Sequence, residues 1–264
     1  MNQSLFAYYN SGIEDGRLTR NLCNRLEYET TLHLIDAYTS TLKRILEVGA
    51  GTGAYVLPLA EQGHDVVAVD IVPLHITLLQ EKASQRNLDN LAAHVADARD
   101  LRLFDDASMD VVLCLGPLYH LQAYADRKQC LIEALRVAKP DGVVICAYLN
   151  RFLTLALSVK RNPKNANPHY LTTLSTTGLF PVGPDDRFGE AAYCSTPDEM
   201  EALVADCGAE LLDHVAANGS AKLIEDTFNQ MCEEQYVAWR EWHWQTWRER
   251  SILGYSTHGL VVCR

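Results

Sequence analysis

The chain has 264 residues, 48% of them hydrophobic, and a formal net charge of -11. That length bounds one large domain, or one domain with a cap. The acidic balance excludes a broad nucleic-acid surface, which needs clustered Lys and Arg, and no apolar run reaches the roughly 18 residues of a membrane span.

Residues 1–40 are polar-rich and read as helical, with apolar positions three and four apart in LEYETTLHLIDAY. The opening MNQSLFAYYN lacks the basic start and apolar block of a signal peptide. KRILEV (43–48) is a buried strand that runs into the glycines of EVGAGTGAY. Residues 53–62 suit a helix ended by Gly63, with Pro58 distorting its early turns. DVVAVD (65–70) is a second strand closed by an acid, and Pro73 opens a helix to about Arg86. LAAHVAD (91–97) and MDVVLCLG (109–116) are the third and fourth strands. A helix through CLIEALRVA ends at the turn KPDG (139–142), and VVICAYLN (143–150) is the fifth strand. Strands alternating with helices at this pitch predict a parallel, doubly wound α/β sheet, with ligands at the carboxyl ends of the strands beside the first.

Beyond residue 150 the pattern changes. Residues 151–194 contain Pro163, Pro168, Pro181 and Pro184 and show poor periodicity, which predicts a lid or substrate cap rather than a plain connection. STPDEMEALVADCG is a well-marked helix: Thr196 caps it, Pro197 opens the first turn, Glu199 closes a capping box and Gly208 ends it. ELLDHVA is a sixth strand, a helical region follows to about Arg250, and HGLVVCR (258–264) is a seventh, antiparallel to the sixth. The expected division is an N-terminal helical lid (1–40), a cofactor-binding half of the sheet (41–150), a cap insertion (151–194) and a C-terminal half that completes a seven-stranded Rossmann-like sheet (195–264). The eight cysteines contain no C-x-x-C pair. They read as reduced, mostly buried thiols of a cytoplasmic protein without a metal site.

The glycine loop has two readings. As G-x-G-x-x-G/A, with Gly49, Gly51 and Ala54, it is a dinucleotide fingerprint. As E-x-G-x-G-x-G, with Glu47, Gly49, Gly51 and Gly53, it is the nucleoside loop of an S-adenosylmethionine (SAM) methyltransferase. The motifs downstream decide. Asp70 closes VVAVD 21 residues after Gly49, VADA supplies Asp97 and Ala98, and KPDGVV turns into the fifth strand. In this order, over roughly residues 40–150, the chain resembles a class I SAM-dependent methyltransferase. The resemblance implies that Asp70 chelates the ribose hydroxyls, that Asp97 accepts from the adenine amino group and that the Ala98 amide faces the ring. Ile71 and Leu115 complete the implied cofactor set, and Gly53 rather than Ala54 is the third functional glycine. Glu47, an acid inside a buried strand, is costly unless it holds the loop or the methionine amino group. A nicotinamide oxidoreductase, the outside alternative, keeps only the loop and Asp70 and finds no second nucleotide-binding half.

After the fourth strand comes LGPLYHL, which resembles a bacterial subgroup of small-molecule methyltransferases and differs from the N-P-P-Y motif of nucleic-acid and protein amide methylation. His120 is the candidate general base, against the alternative of a packed or capping histidine, and Tyr119 is a catalytic neighbour or a pocket wall. Substrate walls are expected from Tyr8, Tyr9 and Asn10, and from Arg151, Phe152, His169, Tyr170 and Phe180 of the cap. A helical stripe of Tyr236, Trp239, His243 and Trp247 is core or binding box, with core favoured. The expected reaction is methyl transfer from SAM, leaving S-adenosylhomocysteine, to an oxygen, nitrogen or sulfur atom of a small apolar or aromatic acceptor. The alternatives are carbon methylation of a quinone-like ring and SAM binding without chemistry. No nucleic-acid or membrane partner is expected, and both monomer and homodimer are compatible with the sequence.

Overall fold

The computed structural model describes residues 16–181 and 192–264, so the expected lid residues Tyr8, Tyr9 and Asn10 lie outside the described residues. Among the described residues there are eight strands: β1 Arg44–Val48, β2 Asp65–Asp70, β3 Leu91–Val95, β4 Met109–Cys114, β5 Ala138–Asn150, β6 Cys194–Ser195, β7 Leu211–Ala216 and β8 His258–Cys263. Seven of them form a sheet in the order β3-β2-β1-β4-β5-β8-β7, while the two-residue β6 pairs with the end of β5. The pairings from β3 through to β5 are parallel, and β8 runs antiparallel to both its neighbours.

Both faces of the sheet are covered, which is why β1, β2 and β4 are nearly continuous apolar runs instead of alternating ones. On one face lie α1 (Leu22–Asp36), α2 (Val56–Glu61) and α3 (Pro73–Gln85), whose Leu34, Leu59 and Leu79 pack on Ile45, Val66 and Leu113. On the other, α4 (Tyr124–Val137) and the later α7 (Pro197–Asp206) bring Leu131, Ala134, Met200 and Leu203 onto Leu46, Val112 and Val144.

Three expected elements shift. The helix after the glycine loop begins at Val56 rather than 53, because Gly49, Gly51 and Gly53 all carry positive φ. Pro58 then falls in the first turn, where its missing N–H costs nothing. Strand four ends at Cys114, and the KPDG turn is an irregularity within the longer β5, where register shifts between Met109 and Val111.

Residues 151–177 are not irregular. They fold as α5 (Arg151–Arg161), a short turn at Pro163–Asn165 and α6 (Pro168–Thr177). Each starts on an asparagine cap: Asn150 accepts from the Phe152 amide, Asn162 from Lys164 and Asn167 from Tyr170. The capping box of α7 is formed by Thr196 and Glu199 as expected. The helical region before β8 resolves into α8 (Glu225–Phe228), α9 (Glu233–Thr246) and α10 (Arg250–Gly254). The aromatic stripe of α9 packs: Tyr236 donates to Glu29 of α1 at 2.9 Å, and Tyr236, His243 and Trp247 are buried. Among the described residues no helix is long and apolar enough to cross a membrane.

Candidate active site

A cleft of about 510 Å³ opens at the carboxyl ends of β1, β2, β3 and β4, a volume ordinary for a small-molecule site. Its floor is the glycine loop. Gly49 and Ala50 N–H groups donate to Val69 O at 2.8 and 3.0 Å, which ties the loop to the end of β2. The glycines serve different ends. A Cβ on Gly49 would lie 2.8 Å from the Pro117 ring, and one on Gly53 2.4 Å from Leu79 Cδ1, so both allow close packing. A Cβ on Gly51 would meet nothing within 4 Å, and Gly51 lines the cleft. Ala54 lines the cleft and Gly53 does not. Gly53 therefore shapes the loop by conformation (φ 93°) and seating on α3.

Asp70 is buried beside the loop. One carboxylate oxygen accepts from Gly51 N–H and the other from Val72 N–H, each at 2.8 Å, with His75 Nδ1 at 3.3 Å. It lines the cleft together with Ile71 and His75. Glu47 lies beneath them, 2% exposed, and its Oε2 has no hydrogen-bond partner among the described residues. Burial pushes its carboxyl well above the usual range, and the neighbouring Asp70 adds to the rise, against one hydrogen bond from the Val56 amide. An unserved carboxyl oxygen in the wall of a cleft suits a ligand ammonium group.

At the far side of β2, Asp97 and Ala98 also line the cleft. Asp97 is gripped by Arg99, whose Nη2 donates to Oδ2 at 2.7 Å. That pairing holds the Asp97 carboxyl below its ordinary range, against the opposing effect of burial.

Beyond β4, Leu115 and Gly116 lead into a turn at Pro117–His120. Tyr119 Oη donates to Leu115 O at 3.1 Å, and the Tyr119 and His120 rings meet edge-on with centroids 4.7 Å apart. Leu115, Tyr119 and His120 line the cleft. Behind Tyr119 a polar cavity of about 30 Å³ lies between Arg17, Glu27, Tyr55 and His258, room for a single water. There His258 Nδ1 is 3.0 Å from Glu27 Oε2. Burial would raise the Glu27 carboxyl, but His258, Arg17 and Lys222 outweigh it and hold it at about 2.

None of the expected cap residues Arg151, Phe152, His169, Tyr170 and Phe180 lines the cleft. The Arg151 guanidinium is buried against Cys194 O (3.0 Å) and Glu199 (2.5 Å), where it locks α5 to β6 and α7. Tyr170 packs with Leu149, Leu174 and Cys194 under α6. Conversely, Arg17, Tyr55, His75, Arg99 and Asp126 line the cleft without having been singled out from the sequence. Only His75 and Arg99 had a signal, a polar group within five residues of a motif acid.

The sheet order, with an antiparallel strand set between β5 and β7, is that of a Rossmann-like class I methyltransferase fold. Residues 46–146 match the family model described as "Methyltransferase domain". The chain is 34% identical over 108 residues to a ubiquinone biosynthesis O-methyltransferase of Maricaulis maris, covering 41% of each chain. It is 32% identical over 114 residues to a glycine/sarcosine N-methyltransferase of Aphanothece halophytica, covering 43% of each. The chain thus spans less than half the length of these two relatives. A crystal structure of a SAM-dependent methyltransferase from Methanosarcina mazei superposes with a TM-score of 0.60 over 87% of this chain and 95% of that one, at 22% identity.

Proposed function

We propose that the protein transfers a methyl group from SAM to an oxygen, nitrogen or sulfur atom of a small, apolar or aromatic molecule. The observation that carries this reading is Glu47: a buried carboxyl oxygen with no hydrogen-bond partner among the described residues, lining a cleft that Asp70 and Asp97 also line. Three carboxylates spread along one cleft fit a ligand with an ammonium, a diol and an exocyclic amine. When bound, SAM supplies a methyl carbon already activated by a positive sulfonium, so the protein's task is alignment and exclusion of water. Glu47 would take the ammonium, Asp70 the ribose hydroxyls and Asp97 the adenine amino group. Gly51 lets the backbone approach, and Ile71, Ala98 and Leu115 form apolar walls. Tyr119 and His120 would face the acceptor, and His120 would accept a proton from a hydroxyl, thiol or ammonium nucleophile.

The relatives supply both acceptor chemistries, an oxygen by the name of one and a nitrogen by the name of the other. Among the described cap residues, α5 and α6 cover the end of β5 and β6, the side from which an acceptor would enter. Calorimetric titration with S-adenosylhomocysteine and with NAD tests the cofactor: tight binding of the first and none of the second is expected, and the reverse overturns the reading. A panel of catechols, small amines and thiols with methyl-labelled SAM then identifies the acceptor.

A further inference from the structure

Arg99 is tied down on three sides. Its Nε donates to Asp97 Oδ1 at 3.0 Å and its Nη2 to Asp97 Oδ2 at 2.7 Å, a planar fork on a single carboxylate. Its Nη1 lies 3.2 Å from Asp126 Oδ2 at the start of α4, and its carbonyl accepts from Gln129 Nε2 at 3.4 Å. The Arg99 amide also donates to Asp97 Oδ1 at 2.9 Å. Asp97, Ala98, Arg99 and Asp126 all line the cleft. A carboxylate has about four acceptor positions. Among the described residues Oδ1 of Asp97 serves two donors and Oδ2 one, so one position, on Oδ2, is left for a ligand.

We propose that Arg99 is a positioning residue that aims this last acceptor position of Asp97, so that the cleft selects a 6-amino purine over a 6-oxo purine. The inference rests on the SAM reading above. Asp97 is about a third exposed, and a carboxylate at that exposure samples several rotamers unless it is held. Ordering it at the moment of binding would cost affinity, and the fork removes that cost in advance. An acceptor with no proton to give accepts from an amino group and repels a carbonyl oxygen. Lysine, a point charge without the fork, cannot reproduce the geometry.

The chain carries its own control. Three residues on, Arg102 grips Asp100 with the same fork, at 2.7 and 2.6 Å, yet neither residue lines the cleft. If a local Asp–Arg fork merely stiffened the loop, both pairs would matter alike.

The test is calorimetry on the full chain with two probes, S-adenosylhomocysteine and S-inosylhomocysteine. The unmodified protein is expected to prefer the adenosyl compound by about ten- to a hundredfold, the range for one charge-assisted hydrogen bond. Arg99→Ala should weaken the adenosyl compound by about tenfold and cut the preference to about threefold or less. Arg99→Lys should fall between, and Arg102→Ala should match the unmodified protein. An Arg99→Ala variant that keeps the full preference, or an unmodified protein that binds both probes equally, overturns the inference while leaving the SAM reading intact. Binding of neither probe to the unmodified protein overturns the SAM reading and the inference with it.

Discussion

The two ends of the cleft are built by different means. At the cofactor end the parts are backbone: strand termini, a glycine loop tied to Val69 O, and an acid, Asp70, whose two oxygens hold loop amides. At the proposed acceptor end the parts are side chains from distant segments. Tyr119 and His120 come from the turn after β4, and Arg17 from the segment before α1. Backbone geometry constrains the first end to one kind of ligand. The second can change with a few side chains, which agrees with its two relatives acting on different acceptor atoms.

The largest expected effect lies at the acceptor end. His120→Ala should lower turnover by about 10²–10⁴ for an acceptor that must lose a proton, with S-adenosylhomocysteine affinity nearly unchanged. Full turnover in the variant would leave alignment alone as the catalytic device, and the two ends would then differ in position only.

Next comes Arg151, buried beside that end but outside the cleft. Arg151→Ala should cost about 2 kcal/mol of stability, read by denaturant unfolding, because it strips charge-assisted bonds from Cys194 O and Glu199. S-adenosylhomocysteine affinity should stay constant; a drop would extend the cleft further than its lining indicates.

Asp70→Ala should weaken S-adenosylhomocysteine by about tenfold or more. Asp70→Asn is not a mild substitute, since both oxygens already accept from backbone N–H groups and an amide must turn its NH₂ toward one of them. Both variants should therefore lose affinity comparably in calorimetry, and a harmless Asn would mean that the loop is held by other bonds.

The smallest effect is on stability at Glu47. Its folded carboxyl titrates above its unfolded value, so folding favours the protonated form. Its contribution is fully present below the unfolded value, near 4.5, and is lost as pH rises through the folded one. Glu47→Gln should thus leave stability unchanged near pH 4 and raise it by about 1 kcal/mol at pH 8, while S-adenosylhomocysteine binds more weakly. Thermal melts across that range, with and without ligand, would show it. A variant that is no more stable at pH 8 would mean that Oε2 finds a partner in solution.

The same contrast explains what could be read from the sequence. Strands β1, β2 and β4 were legible because a sheet covered on both faces writes continuous apolar runs. Asp70, Asp97 and Leu115 were singled out by the family resemblance, and they line the cleft because they sit at strand ends on its edge. The helices of 151–177 were missed for a specific reason. Pro163 and Pro168 counted as breakers, yet each follows an asparagine cap and opens a helical turn. Arg151 was misplaced and Arg17 missed for another: long side chains reach several ångströms from their backbone, and local pattern does not say which way. Gly53 fell between the two. Its conformation was foreseeable, whereas its seat against Leu79 depends on how α3 packs.

The position of β8 bears on how the molecule is made. Among the described residues the strand follows every other, yet it lies between β5 and β7 and is the only ladder partner of β7. During synthesis β7 emerges with nothing to pair with, and the edge of β5 stays bare until residues 258–263 arrive. A bare edge beside a paired core is a template for association with other chains. A ribosome that stalls before residue 258 would therefore release a product whose parallel half is complete but whose β5 edge invites aggregation.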